Sequence, residues 1–467
     1  MKRPHPSSRS RRGVVTLTVI WAIAIAAVIV AATQVLAFRQ ATLGREVLGR
    51  TQARWAARAG VETMIAIMEW HTDPENQDPD NPLAMIDDLQ EHATGDVATG
   101  RWDISHTIDG VIWAGPLDEH AKLNINSINK AVLEALPNMA QDVADSIMDW
   151  RDADDEVQGY GAESDYYRNR NMHFEPRNGD FRSIAELELV AGAWPKYVRG
   201  EDWNLNGRLD PNEDDGKLSV PDDRPDGKLD AGWSGLLTAV SRSSAMSVSG
   251  ASRLDLRKTN AEELTNRTGV DAQQAAALLA YARGGNANMA QILATPLSQL
   301  SNRRGAQPSN PAASGSTGRS SVGRTGGTQT TNGTKNLTPD QLRQVMNECT
   351  LSDTRTSGPS TAGKLNLNTA SRAVLRDVLK LEPRFAESIL SLRDAKAQGI
   401  TSLADLVDLP GVTQAQLLTV GQVADVVSSV YTIASRGRAE ATGAEAEMVV
   451  VVDRSEVPVK ILEYREP

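Results

Sequence analysis

Arg11-Arg12-Gly13-Val14-Val15-Thr16-Leu17-Thr18-Val19-Ile20-Trp21 opens an uncharged run that ends only at Phe38. At about 1.5 Å rise per residue the run from Val14 makes a helix of roughly 37 Å, enough to cross a hydrocarbon core of about 30 Å with some tilt. It starts directly after Gly13. A secretory signal peptide has a shorter apolar core and closes on a small-x-small cleavage site. Here the apparent processing point, between Gly13 and Val14, lies ahead of the apolar segment, which therefore stays in the mature protein. Thr16, Thr18 and Trp21 do not oppose spanning, because a helix satisfies its own backbone and hydroxyls bond back to it. Lys2, Arg3, Arg9, Arg11 and Arg12 precede the run; they place the N-terminus in the cytoplasm and the rest of the chain across the membrane.

The helical pattern runs on past the membrane. Leu43, Val47, Trp55, Ala59, Met64, Ile65 and Met68 recur at helical spacing, with Arg45, Arg50, Arg54 and Arg58 on other faces. A loop rich in Asp, Pro and Asn over 71–81 ends it. Strands follow: Trp102, Ile104, His106 and Ile108 alternate with polar neighbours, and Asp109-Gly110 offers a hairpin turn before Val111-Ile112-Trp113. Near the other end, Val430–Ser435, Met448–Val452 and Val459–Tyr464 are β-branched or apolar runs. A long helix with a small antiparallel sheet drawn from both ends of the sequence predicts an α+β fold split by a large insertion.

The insertion repeats itself. Lys122-Leu123-Asn124-Ile125-Asn126-Ser127 through Arg151-Asp152 aligns without gaps onto Lys364-Leu365-Asn366-Leu367-Asn368-Thr369 through Arg393-Asp394. Phe181–Leu187 matches Ile400–Leu406 in the same sense, and a weaker copy runs from Arg253-Leu254-Asp255-Leu256 through Ala282-Arg283. Each unit reads as a short extended lead, a polar cap (Thr369 and Ser371 in the last copy) and two amphipathic helices. The units resemble helix-hairpin-helix (SAM-like) modules, whose common use is DNA binding through glycine hairpins that offer backbone N–H groups to phosphate. Leu136-Pro137-Asn138-Met139 and Leu381-Glu382-Pro383-Arg384 lack the paired glycines, and only Leu409-Pro410-Gly411-Val412 comes close. With 60 acidic against 49 basic residues and a net charge of -11, the composition argues against phosphate-driven binding, so the units read as a scaffold. Residues 301–336, mostly Ser, Gly, Asn, Thr, Pro and Arg, have too little apolar surface to fold and read as a disordered linker between the second and third units.

One cysteine, Cys349, excludes an intramolecular disulfide and leaves metal ions as the natural staple for an exported fold. The twelve residues Asp202–Glu213 fit the EF-hand calcium loop at every position. Asp202, Asn204, Asn206, the Arg208 carbonyl, Asp210 and bidentate Glu213 are the ligands, Gly207 makes the turn and Leu209 pins the loop to a core. Asp222, Asp226 and Asp230 form an imperfect second copy, in which Arg224 and Trp233 replace ligands. Asp149, Asp152 and Asp154 are further candidates. Asp149 and Asp152 lie one turn apart at a helix end, where negative charge is unfavourable beside exposed carbonyls, so a cation, an arginine or plain solvation all remain open there. No His-Glu-x-x-His, Gly-x-Ser-x-Gly or phosphate-cradling glycine motif appears, and Cys349 has no evident histidine partner; nothing points to an enzyme.

Taken together, the leader ending at Gly13, the stem Gln52–Glu62, the split sheet, the duplicated units and the run Asp149-Trp150 to Tyr166-Tyr167 resemble the type II secretion minor pseudopilin K family. That resemblance implies a pilin fold with an inserted helical domain, cleavage after Gly13 by prepilin peptidase, and calcium binding in the helical domain. It implies an inner-membrane single-pass precursor with its bulk in the periplasm, and assembly with I- and J-type minor pseudopilins and the major pseudopilin at a pseudopilus tip. Thr18 stands fifth after the cleavage point, where most pilins carry Glu and the K family does not. The segments expected are 1–13 leader, 14–38 membrane helix, 39–118 stem and first strands, 119–200 first unit, 201–233 calcium loops, 234–300 second unit, 337–425 third unit and 426–467 last strands. The competing reading is a membrane-anchored, pilin-like DNA-uptake protein.

Overall fold

A computed structural model describes residues 10–76, 81, 83–243, 246–248, 251–302, 335–351 and 362–466. One helix, α1 (Ser10–Thr72), carries the apolar run, and its Val14–Thr72 portion is long and apolar enough to cross a membrane, with a mean hydropathy of 2.8 in its most apolar window, none of it buried. Helix α1 ends before Asp73-Pro74, where Arg454 caps it by donating to Thr72 Oγ1 (2.9 Å) and to the His71 carbonyl (3.3 Å). A short α2 (Ala84–Glu91) leads into β1 (Thr94–Val97), β2 (Gly100–Ile108), β3 (Val111–Ala114) and β4 (Leu117–Asp118). The predicted hairpin turn joins β2 to β3, with Asp109 and Gly110 both at positive φ, 52° and 73°. The C-terminal runs form β5 (Val430–Ala439), β6 (Glu445–Asp453) and β7 (Lys460–Arg465), and the sheet is ordered β1-β2-β5-β6-β7, antiparallel throughout.

The stem packs differently from its expected stripe. Leu43, Val47 and Trp55 are exposed, and the buried face consists of Ala53, Ala56, Ala57, Val61, Met64 and Met68. Small residues are needed because helix and sheet nearly touch: a Cβ on Gly437 of β5 would lie 1.9 Å from the Ala53 carbonyl oxygen. Below that contact, Met64 and Met68 join Met85, Leu89, Ile104, Ile433, Val450 and Val452 in one core.

The insert leaves the sheet after Asp118 and returns at Val430, and those two crossings are neighbours, with Tyr431 facing Asp118 and Thr432 facing Leu117. Two buried carboxylates hold this neck. Asp118 accepts from Ser428 Oγ and Thr369 Oγ1 (both 2.6 Å), and Glu119 accepts from Thr432 Oγ1 (2.6 Å) and Thr238 Oγ1 (2.5 Å). Thr369 is therefore not a helix cap as expected; Ser371 is, accepting from the Val374 amide at 3.1 Å.

Each of the three lead segments pairs with a parallel two-residue strand further along the insert. Leu123–Asn124 pairs with Leu237–Thr238, Leu254–Asp255 with Cys349–Thr350, and Leu365–Asn366 with Ala424–Asp425. The first and third share their polar joints as well. Asn126 exchanges hydrogen bonds with Phe181 as Asn368 does with Ile400, and Arg151 and Arg393 each donate to carbonyls of their own lead. These two units merge into one large core, while the second has its own, built around Leu256, Leu264, Leu278 and Val345. Segment 337–351, expected in the third unit, thus belongs to the second. Its helix Pro339–Glu348 and closing strand put Val345, Cys349 and Leu351 in the second core. Of the expected linker, Ser301 and Asn302 end a helix that starts at Leu297, and 303–334 lie outside the described residues.

Candidate metal centre

The helix Gln141–Arg151 is anchored by Trp150, which packs against Tyr167, Phe174 and Phe181 and donates its indole N–H to Glu186 (3.0 Å). That anchor fixes the helix end, where Asp149 and Asp152 meet Glu163, the residue that starts the next helix, Ser164–Asn169. One ligand oxygen from each lies within 4.8 Å of the others, the single such grouping of acidic side chains among the described residues. Asp149 is fully buried and Glu163 is 2% exposed. Asp149 Oδ1 accepts from the Gln158 amide (3.0 Å), and Asp152 Oδ2 from the Gln158 side chain. Asp149 Oδ2, Asp152 Oδ1 and both Glu163 oxygens have no partner.

Four orphaned carboxylate oxygens facing one another are costly without a cation, because burial removes water and the like charges repel. Burial followed by the neighbouring aspartates pushes Glu163 up to about 7, and burial pushes Asp149 up to about 6. The donor set, all hard oxygen, suits a divalent ion of the calcium type and no soft metal. Asp154, expected in this set, is exposed and instead accepts from the Glu156 amide at 2.9 Å. Glu163 was missing from the expected ligands because ten intervening residues separate it from Asp152; its place just before a helix was the available signal.

The loop Asp202–Glu213 takes the turn expected of it, with Gly207 at φ +70° and Asp202, Asn206, Asp210 and Glu213 all buried. Asp202 accepts from the amides of Asn206 (2.9 Å) and Gly207 (3.0 Å), and Glu213 from those of Trp203 (2.9 Å) and Asp210 (3.1 Å). Burial pushes Asp202 up to about 6 and Glu213 up to about 7. No pair of EF-hand helices flanks the loop: a single turn, Pro195–Val198, precedes it and a 3-10 turn, Pro211–Glu213, ends it. Leu209 is only half-buried and joins no core. The second loop brings no ligands together. Asp222, Asp226 and Asp230 are exposed, and the last two accept from amides of their own turns, Lys228 (3.0 Å) and Gly232 (3.1 Å).

Residues 121–200, which hold the acidic grouping, match the family model "Type II secretion system (T2SS), protein K". Over that segment the chain is similar to the protein K family. No curated protein matches the chain. Among solved structures, a chain of the GspK-GspI-GspJ complex of the type 2 secretion system of enterotoxigenic Escherichia coli shows a likeness with a TM-score of 0.41 at 13% identity. It spans 91% of this chain and 99% of that one, and is too loose to argue from. Asp149, Asp152 and Glu163 all lie inside the matched segment.

Proposed function

We propose that this chain is a minor pseudopilin seated at the tip of a type II secretion pseudopilus, with a structural rather than enzymatic role in protein export. The observation that carries the reading is the protein K match over 121–200 placed inside a helix-and-sheet body that the insert divides. In a filament whose subunits stack helix on helix, a bulky domain projecting from the sheet collides with any subunit above it, so the top position alone accommodates it. The partners are I- and J-type minor pseudopilins and the major pseudopilin. Before assembly, α1 lies in the inner membrane with its N-terminus in the cytoplasm, and prepilin peptidase cuts between Gly13 and Val14. Thr18 fits a subunit with no neighbour above: its hydroxyl bonds back to the Val15 carbonyl (2.8 Å) and asks for no partner. The helical units, helix-hairpin-helix-like in outline, serve as scaffold; the acidic balance supports that use over DNA binding, and salt-dependent DNA binding by the purified chain is expected to be absent.

Calcium at Asp149, Asp152 and Glu163 holds the first unit in shape, closing the 153–162 loop against the helix end. Co-purification of the detergent-solubilised chain with candidate minor pseudopilins, with and without chelator, tests both points. A stable complex is expected, weakened by chelation. Absence of any complex with every minor pseudopilin removes the tip role. A complex indifferent to chelation and to Glu163→Gln removes the metal from it.

A further inference from the structure

The two edges of the sheet are protected very differently. On one side β7 reads Lys460-Ile461-Leu462-Glu463-Tyr464-Arg465, follows Pro458, and meets β6 through a register irregularity at Val451/Val452; charge, proline and bulge all blunt an exposed edge. On the other side β3 reads Val111-Ile112-Trp113-Ala114, with no charge, no proline and no register shift. All of its residues are exposed, Ile112 at 71%.

The backbone of β3 is bonded on one side alone. Ile104 donates its N–H to the Ala93 carbonyl (2.8 Å) and accepts from the Gly115 amide (2.9 Å), so Ile104, His106 and Ile108 direct their backbone groups toward β3. Thr107 turns the other way, its amide on the Gly207 carbonyl (2.7 Å). Ile112 lies opposite Thr107 and therefore directs its N–H and C=O away from β2, where no hydrogen bond meets them among the described residues.

Beside this edge lies an open groove of about 440 Å³ between the hairpin, α2 and the third unit. Ile108, Val111 and Trp113 share the face that looks into it, Ile86 and Leu89 come from α2, and Leu390 from the third unit. The arginines at its rim, Arg372 and Arg393, already pair with Glu387 and Asp394. The groove therefore asks for apolar groups and the edge for backbone ones. An extended polypeptide supplies both, whereas a helix keeps its backbone bonded within itself and a lipid chain has none. A second copy paired antiparallel does not fit. Two β3 edges would meet about a twofold axis normal to the sheet, which runs the second α1 the opposite way, and two helices so turned cannot enter one bilayer from the same side.

We infer that the edge of β3 takes up an extended segment of another polypeptide as an added antiparallel strand, with apolar side chains at alternate positions lowered into the groove. Residues facing Val111 and Trp113 point into the groove; the residue facing Ile112 exchanges backbone hydrogen bonds with it and points to the opposite face. The Arg372 amide holds the Asp109 carboxylate at the turn (3.0 Å), so the edge is presented on a tethered hairpin. The inference goes beyond the tip role and does not depend on it.

The test uses the full chain in detergent and a dye-labelled synthetic peptide of alternating valine and threonine, followed by fluorescence anisotropy. One version is N-methylated at its valines, the other at its threonines. With valines in the groove, the threonine amides bond to β3 and the valine amides point away from it. The valine-methylated peptide is therefore expected to bind, and the threonine-methylated one at least tenfold more weakly. Ile112→Pro removes the outward N–H, leaves the β2–β3 bonds in place, and is expected to weaken binding at least tenfold. Should it fail to fold, Val111→Asp puts a carboxylate on the groove wall and is expected to weaken binding as much. Amide exchange at Ile112 should slow at least tenfold under saturating peptide, while Thr107 stays unchanged. No binding by either peptide, equal or reversed affinities, or binding indifferent to both substitutions overturns the added strand. So does a chain that is dimeric by sedimentation and becomes monomeric with Ile112→Pro, which would give the edge to a second copy.

Discussion

Replacing Gly437 by alanine drives a wedge between α1 and the sheet. The new Cβ would lie 1.9 Å from the Ala53 carbonyl oxygen and 2.4 Å from the Ala57 nitrogen, where ordinary contact begins at 3.4 Å. Both are backbone atoms of a helix, so no rotamer relieves the overlap, and helix and strand must part by about 1 to 1.5 Å. A gap of that order forfeits roughly a quarter to a half of each dispersion contact it opens, and it opens them along buried Ala53, Ala56, Ala57 and Val61. Overpacking of a tight core costs about 1–3 kcal/mol, and two rigid backbones put this case at the upper end. The lost freedom of glycine in the unfolded chain returns about 0.4–1 kcal/mol, so the net expectation is a loss of about 2 kcal/mol. Urea unfolding of the detergent-solubilised chain, followed by tryptophan fluorescence, measures it. Gly44→Ala is the control, since nothing lies within 4 Å of its added carbon and α1 continues through it. Ala53→Gly should not rescue Gly437→Ala, because the obstacle is the Ala53 carbonyl and not its methyl. A Gly437→Ala chain within about 0.5 kcal/mol of wild type would refute the close-approach account of the alanine face.

Three further outcomes follow from buried polar groups. Asp118→Ala leaves Ser428, Thr369 and Asn366 facing an empty acceptor site and should cost about 2–4 kcal/mol in the same urea assay, with Asp118→Asn costing less. His106, held down at about 4 chiefly by burial while it bonds the Gly115 carbonyl (2.9 Å), is neutral in the fold; protonation therefore favours the unfolded chain. Its contribution is complete above pH 6.5 and lost as pH falls toward 4. Allowing for the partial exposure of the ring, the wild type should lose about 2 kcal/mol more than His106→Gln between pH 7.5 and 4.5. Taking the difference cancels the carboxylates that titrate in the same window. Cys349, buried and pushed up to about 12, should resist a thiol-disulfide reagent in the native chain and react fully in denaturant; fast native reaction would contradict its place in the second core.

What the sequence exposed and what it hid divide along physical lines. The β2–β3 hairpin and the three C-terminal strands were legible because alternation and an Asp-Gly turn are local signals. The alanine face of α1 was not. Alanine carries little hydropathy, and the spacing that demands it is set by Gly437, far along the chain. The closing strands Leu237–Thr238, Cys349–Thr350 and Ala424–Asp425 were invisible for a similar reason, since two residues hold no periodicity and their partners lie across a whole unit. Missing them placed 337–351 in the wrong unit. At the candidate metal centre, Asp149 and Asp152 were readable from a one-turn spacing, whereas Glu163 arrives across a loop. Asp154 looked equivalent to its neighbours by composition and differs only in facing solvent.

An insert joined to a sheet through two adjacent crossings would swing on them as on a hinge, and the neck shows why this one is held. Asp118 reaches Thr369 and Ser428 on the third unit's side, while Glu119 reaches Thr238 at the end of the first. The two carboxylates are consecutive along the chain, so one residue pair at the end of β4 fixes both halves of the merged core against Thr432 and Tyr431 of β5. Each buried hydrogen bond to a charged group contributes about 1.5–3 kcal/mol, well above thermal energy, but both lie close to the hinge line and resist rotation poorly. Resistance to swinging needs an attachment away from that line. The Asp202–Glu213 loop supplies it, gripping Asp103, Arg436, Glu447 and Arg465 across four strands. If that grip is broken, for example by Arg436→Ala, the neck should survive and the far attachment loosen, so the insert would pivot without unfolding. In the proposed tip role, the angle of that bulk to α1 would decide which neighbours can stack beneath it.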